Sequence, residues 1–186
     1  VRQRSVRPQR GWSQHLQQAL AWRRAILRCP LHYYQDHDKQ RPVAVAWVDG
    51  SWDQELGHGA VGGVLMTPRF GNFSFSAQIP PGICAELRTV GKAQRNTQAE
   101  LLAILVMMIT FTTQLRGADL LLWEDNSPAM GNIISGAAAD PDSQAIVGAI
   151  WLMRVVLSVN PRVEWAASEN NPADASSRPN EKEKQR

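Results

Sequence analysis

Apolar positions along this chain change period several times, and each change marks an element. Val43–Val48 is almost continuously apolar, the pattern of a central strand buried on both faces, and Asp49-Gly50 reads as the turn that closes it. Gly59–Met66, rich in Gly, Ala and Val, predicts a second strand. In Asn72–Ile79 the residues Phe73, Phe75, Ala77 and Ile79 alternate with polar ones, which predicts a third strand. Short turns between the three favour an antiparallel meander. Pro80-Pro81 and scattered charges read as a loop over 80–95. Helical spacing then takes over from Thr97 to about Leu115, followed by a strand over Asp119–Glu124 and a short helix, Asn126–Ser135, with Pro128 in its first turn. A loop over Ala137–Ser143, a helix over Gln144–Leu157, a strand over Arg162–Ala167 and a helical turn within Pro172–Ser177 complete the pattern. Three hairpin-linked strands before alternating helices and strands predict an α/β fold, a mixed five-stranded sheet with helices on both faces.

Upstream the signal is weaker. Residues 1–11 have no apolar period and are expected to lack structure in isolation. Trp12, Leu16, Leu20, Ile26 and Leu27 fit an amphipathic helix over Trp12–Leu27, which Pro30 would stop. Asp36–Pro42 is a polar linker. The expected organisation is a basic arm or connection over 1–42, a domain over 43–178 and a flexible tail over 179–186.

Composition narrows the class. With 186 residues, 44% apolar and 20% charged, the chain has an ordinary globular balance. Its longest apolar stretches, Leu101–Ile109 and Ala145–Met153, are too short to cross a bilayer, and the Arg-rich start lacks the apolar core of a secretory signal. An intracellular protein with no membrane partner is expected, and the absence of an initial Met suggests a fragment or processed product. Cys29 and Cys84 stand far apart with no CxxC or His pairing, so neither a disulfide framework nor a zinc site is indicated. Charge is divided unevenly. Residues 1–35 hold seven arginines and no acid, leaving the remainder with 13 basic and 17 acidic side chains. Such an arm suits nucleic acid or a membrane surface, or is simply a solvated tail.

Four acids stand at ends of elements. Asp49 ends the first strand, Glu100 lies in the first turn of the long helix, Asp125 follows the fourth strand, and Asp174 opens the last helical turn. If the first and fourth strands are neighbours, all four converge at one sheet edge. Carboxylates so gathered raise one another's pKa unless cations neutralise them. Magnesium suits hard oxygen ligands, and two ions about 3.5–4 Å apart stabilise the attacking and leaving oxygens of a phosphodiester displacement. Each acid also has a plain structural explanation. Thr97-x-x-Glu100 is a capping box, Asp125 could cap the helix after it, Asp174 could complement its own helix dipole, and Asp49-Gly50 could be only a turn.

Asp49-Gly50-Ser51, Ala99-Glu100-Leu101, Asp125-Asn126-Ser127 and Asn170-Asn171-Pro172-Ala173-Asp174, in this order on these elements, resemble the ribonuclease H domain, in the version carried by reverse transcriptases of LTR- or DIRS-like retrotransposons. The resemblance covers about residues 43–178. It implies a ribonuclease H-like fold and an endonuclease that hydrolyses the RNA strand of RNA–DNA hybrids with two magnesium ions, manganese being a possible substitute. Asp49 would be the shared ligand. Asp174 would help hold the ion that activates water, and Glu100 with Asp125 the ion beside the leaving 3′ oxygen. Gly50, Ser51, Asn96 and Asn126 would contact substrate, Asn96 by reading 2′-hydroxyls in the minor groove or, alternatively, serving only as a cap at the helix start. A polymerase domain of the same polyprotein or complex is the implied partner.

Two departures from the family pattern stand out. The flexible His that many members carry before the last Asp is missing from Val163–Asn171, where Glu169 is the nearest protic side chain and reads mainly as an exposed loop acid. From Gly117 to Met153 there is no Lys or Arg, so a basic helical handle for the hybrid is absent. Trp47, Trp123, Trp151 and Trp165 read as core, as do Met107 and Met108, while His58 reads as a turn residue and Cys84 as a loop thiol. An inactive ribonuclease H-like scaffold is the alternative of another class. A different nuclease or transposase on the same fold is a third.

Overall fold

In the computed structural model, residues 40–87 and 95–177 are described, together with isolated helical positions at Gln17, Leu20, Ala21, Arg23, Arg24 and Arg28. Residues 1–11, most of the helix expected over 12–27, Cys29 and the tail over 179–186 lie outside the described residues. Strands β1 (Val43–Asp53), β2 (His58–Thr67) and β3 (Gly71–Gln78) form the meander. They are followed by helices α1 (Pro81–Glu86), α2 (Asn96–Thr110) and α3 (Thr112–Leu115), then strand β4 (Asp119–Glu124). Helices α4 (Ser127–Ser135) and α5 (Pro141–Leu157) precede β5 (Asn160–Trp165), a 3₁₀ turn over Ser168–Asn170 and the short α6 (Asp174–Ser177).

The sheet order is β3-β2-β1-β4-β5. β1 pairs antiparallel with β2 and parallel with β4, and β4 pairs parallel with β5. The first and fourth strands are therefore neighbours. Alternation along β1 buries Ala44, Ala46 and Val48 completely on one face, where Leu120 and Leu122 of β4 join them. Helix α2 lies across that face and contributes Leu101, Ile104, Met107 and Met108 to the same core. Among the described residues, the other face carries α6 near one end only, against β1, β2 and β3.

Several boundaries differ from the sequence reading, each for a local reason. β1 does not close at Asp49-Gly50 but continues in register with β2 as far as Asp53↔His58. Gly50 is inside the strand because a Cβ there would overlap the Ala99 carbonyl group and the Glu100 nitrogen. The supposed loop after Ile79 contains α1, which starts on Pro81, a residue whose fixed φ suits a first helical position. The long helix stops at Thr110. Its stretch Ile109-Thr110-Phe111-Thr112 is β-branched and aromatic, weak in helix propensity, and buried Phe111 meets Phe73 and Phe75 of β3 at ring distances of 5.5 and 6.0 Å. α5 begins three residues earlier than its apolar period, because Asp140 caps it by accepting from the Ser143 N–H at 2.8 Å and Pro141 follows. β5 begins at Asn160 and ends at Trp165. Trp165 is 54% exposed rather than core, being the last residue of an edge strand.

Candidate functional site

The end of β1 next to β4 gathers the acids. Asp49 is buried in β1, Asp125 follows the last residue of β4, and Glu100 is buried in the first turns of α2. One carboxylate oxygen of each lies within 4.8 Å of those of the other two. Asp174, in the first turn of α6, lines the same cleft of about 740 Å³, as do Gly50, Ser51, Asn96 and Asn126. All eight residues singled out from the sequence thus face one cavity, with Asp174 outside the tight group of three.

Local hydrogen bonds bear on the structural explanations of three of these acids, while Asp174, in the first turn of α6, keeps its own as a dipole partner. Glu100 does not close a capping box. Arg95 occupies the N-cap position without a side-chain cap, and Glu100 Oε2 reaches across to accept from the Gly50 N–H at 2.7 Å. That bond joins α2 to β1 where glycine permits close approach. Asp125 is not the cap of α4. Asn126 is, accepting from the Ala129 N–H at 2.9 Å, while Asp125 Oδ2 accepts from the Ser168 hydroxyl at 2.7 Å. Asp49-Gly50 is not a turn. Asp49 accepts from the Ser177 hydroxyl of α6, and Ser51 Oγ donates to the Ser177 carbonyl at 2.7 Å.

Asn171 fixes the segment leading to Asp174. Its buried side-chain amide donates to the Val48 carbonyl at 2.8 Å and accepts from the Ala173 N–H at 3.0 Å. Beneath α6 lies Gly62, where a Cβ would come within 2.6 Å of the Ser177 nitrogen. The segment that carries Asp174 is therefore tied to β1 at Val48 and Asp49 by contacts that need Asn at 171 and Gly at 62.

A fifth acid was not singled out from the sequence. Glu124 is fully buried, accepts from the Asn126 N–H at 3.1 Å through Oε1, and has no hydrogen-bond partner for Oε2. Strand alternation carried the signal, since Leu120, Leu122 and Glu124 share the core side of β4. Burial pushes the Glu124 carboxyl up to about 8, with Asp125 and Asp49 adding to the shift and the Asn126 N–H opposing it. Burial pushes Glu100 up to about 10, reinforced by Glu124, Asp49 and Asp125 and opposed by the Gly50 N–H. Acids held this far from their ordinary range, one with an orphaned oxygen, fit a site completed by a divalent cation with hard oxygen ligands. Ser168 and Ser177 also escaped the sequence reading, and nothing in a lone Ser distinguishes it there. Glu169 is exposed and lies outside the cleft lining. His58, first residue of β2, does line the cleft, and Cys84 is buried in α1 with its thiol directed to the Ile79 carbonyl.

No family model and no curated protein matches the sequence. Solved structures do match the fold. An RNase H1 from the halophilic archaeon Halobacterium salinarum NRC-1 aligns with a TM-score of 0.58 and 19% identity, over 79% of this chain and 100% of its own. An RNase H1 isolated from compost by a metagenomic approach gives 0.60 at 14% identity, covering 77% and 99% of the two chains. The N-terminal RNase H domain of a Mycobacterium tuberculosis protein gives 0.53 at 14% identity, covering 73% and 91%. With its mixed sheet in the order β3-β2-β1-β4-β5, this chain has the ribonuclease H-like fold.

Proposed function

We propose that this protein is a divalent-metal-dependent endonuclease that hydrolyses the RNA strand of RNA–DNA hybrids, working as the ribonuclease H portion of a retrotransposon reverse transcriptase. The observation that carries the proposal is the convergence of Asp49, Glu100 and Asp125 within 4.8 Å at the floor of a cleft that Asp174 also lines. Four chain segments far apart in sequence supply these groups, and in three of them the hydrogen bonding leaves a cap or turn role to other residues.

In this reading Asp49 is the ligand common to two ions, Asp174 belongs to the ion on the water side, and Glu100 and Asp125 belong to the ion on the leaving-group side. Bound magnesium, or manganese in its place, would supply Lewis acidity and a lowered pKa for water. The chain's own part is positioning. The Gly50 N–H orients Glu100, the Ser177 hydroxyl orients Asp49, and the Ser168 hydroxyl orients Asp125. Asn96 is exposed at the cleft and presents an amide where a minor groove with 2′-hydroxyls would lie. Beside it Arg95 stacks on Trp52 at 4.8 Å, placing a cation at the rim for phosphate.

The test is incubation with labelled RNA–DNA hybrid and with duplex DNA, with magnesium or with EDTA, beside an Asp49→Asn control. Cutting of the RNA strand alone, lost in EDTA and in the variant, is the expected result. Equal cutting of duplex DNA would move the chain to another nuclease class on this fold. Hybrid binding without cleavage under any divalent ion would leave a scaffold.

A further inference from the structure

Two adjacent acids at the end of β4 go to different places. Asp125 lines the cleft, while Glu124 lies on the core side of the strand with Leu120 and Leu122. The parallel register that pairs Trp47 with Trp123 brings Glu124 level with Val48. Two residues further along β1, Gly50 meets α2 on that same side and its N–H holds Glu100. Of the acids around Glu100, Glu124 acts on it most strongly, ahead of Asp49 and Asp125. Glu124 therefore stands behind the acidic group rather than in the cleft lining.

Core packing does not account for a carboxylate here. The residue is 0% exposed on a face that Val48, Leu120 and Leu122 occupy, where an apolar side chain would carry no desolvation cost. One oxygen serves the backbone. Oε1 accepts from the Asn126 N–H at 3.1 Å, and Asn126 in turn caps α4 by accepting from the Ala129 N–H at 2.9 Å, which fixes the turn that carries Asp125. A glutamine amide could accept the same bond. The other oxygen, Oε2, has no hydrogen-bond partner. A buried carboxylate left this way is unfavourable, and a neighbouring cation offsets the cost.

We infer that Glu124 is a positioning residue of the metal centre, strengthening the hold on the divalent cation assigned above to Glu100 and Asp125 and acting through those two acids. The inference rests on the metal-dependent function proposed above and adds a fifth carboxylate to it. Groups just behind the ligands of a metal orient them and tune the affinity of the site. A charge buried at the core side of β4 is also screened less than one at the rim of the cleft, so its attraction for a cation reaches further.

Manganese binding to the full chain without substrate, read from loss of the free ion's paramagnetic resonance signal, tests this at one pH for the native, Glu124→Gln, Glu124→Asp and Asp49→Asn proteins. Glu124→Gln keeps an acceptor for the Asn126 N–H and removes the charge, and its Kd is expected to rise about 10–100-fold. Glu124→Asp keeps the charge on a shorter stem and should bind more tightly than Glu124→Gln. The reverse order would make shape rather than charge decisive and overturns the inference. In EDTA, Glu124→Gln should melt level with the native chain or higher. A lower midpoint, or failure to fold, makes Glu124 a structural acid and also overturns it. Native affinity in Glu124→Gln beside weak binding in Asp49→Asn overturns the inference and leaves the metal centre standing. Native affinity in Asp49→Asn as well would remove the metal centre itself, and the role of Glu124 with it.

Discussion

Asp49 is buried among carboxylates, so its charge is unfavourable until a cation arrives. Asp49→Asn keeps the shape and the capacity to accept from Ser177 but removes one charge from the group. Hybrid cleavage should fall to background, while the metal-free melting temperature stays level or rises. A variant that melts lower yet cuts normally would show Asp49 to be structural. The raised pKa values of Glu100 and Glu124 make a second prediction. The folded state holds protons that the unfolded chain releases above its ordinary carboxylate range, so the folded state binds more protons and stability falls as pH rises. In the absence of metal, stability is fully present below about pH 4.5 as far as these two groups are concerned. It should decline above that and be largely lost through about 8 for Glu124, the Glu100 share continuing towards about 10. Magnesium should flatten the decline, because a cation favours the ionised forms. Glu124→Gln should flatten the Glu124 part without metal. Melting curves from pH 5 to 9, with and without magnesium, check both. A metal-free profile that rises across this window would remove the buried-acid account of the site.

The elements around the site depend on two glycines as much as on the acids. A Cβ at position 50 would overlap the backbone of α2, so Gly50→Ala must separate β1 from that helix and pull the Gly50 N–H away from Glu100. A loss of about 1–3 kcal/mol in urea denaturation is expected, the usual cost of overpacking, together with loss of cleavage. Gly62→Ala acts on α6 instead. It should cost less stability, because α6 is a short terminal turn, yet cleavage should still collapse since Asp174 and Ser177 move with it. Retained cleavage in a folded Gly62→Ala protein would separate α6 from the chemistry. These close approaches explain which parts of the fold were legible in the sequence. Strands and helices with a clean period, such as Asp119–Glu124, are visible because burial on one face writes the pattern directly. The continuation of β1 through Asp49-Gly50 is not, because the local signal of that dipeptide is a turn and only packing against Ala99 makes it a strand. Likewise Asp140-Pro141 is a helix start whose cap acts through one hydrogen bond and leaves no apolar trace. In the site, the four spaced acids were visible through a motif order, whereas Glu124 was hidden by the expectation that a carboxylate beside a strand end faces water. Ser177 and Asn171 act through contacts more than 120 residues away in sequence, and local spacing carries nothing of them.

Charge across the whole molecule sets how the domain would hold a polyanion. From Gly117 to Met153, which spans β4, α4 and nearly all of α5, there is no basic residue, while residues 1–35 carry seven arginines and no acid. A cleft lined with carboxylates repels phosphate until metal binds, so long-range attraction must come from elsewhere on the chain. Four of these arginines, Arg2, Arg4, Arg7 and Arg10, precede Trp12 and are the phosphate contacts expected here. Replacing these four by Gln leaves the sequence over 43–178 unchanged. If each makes one phosphate contact, the dependence of log affinity on log salt should flatten by roughly 3 in total, at roughly 0.7–0.9 per contact. Hybrid affinity should fall most at low salt and the two proteins should converge at high salt, where counterion release no longer favours the native chain. Binding is best followed with Asp49→Asn in both proteins, in EDTA-free buffer with magnesium, so that substrate survives the titration. An unchanged slope would mean that the arm serves a protein partner, and the phosphate contacts would then fall to the rim of the cleft, where Arg95 stacks on Trp52. Arg95→Gln would be the informative variant in that case, because it should then lower the slope by about one contact while the arm variants leave it unchanged.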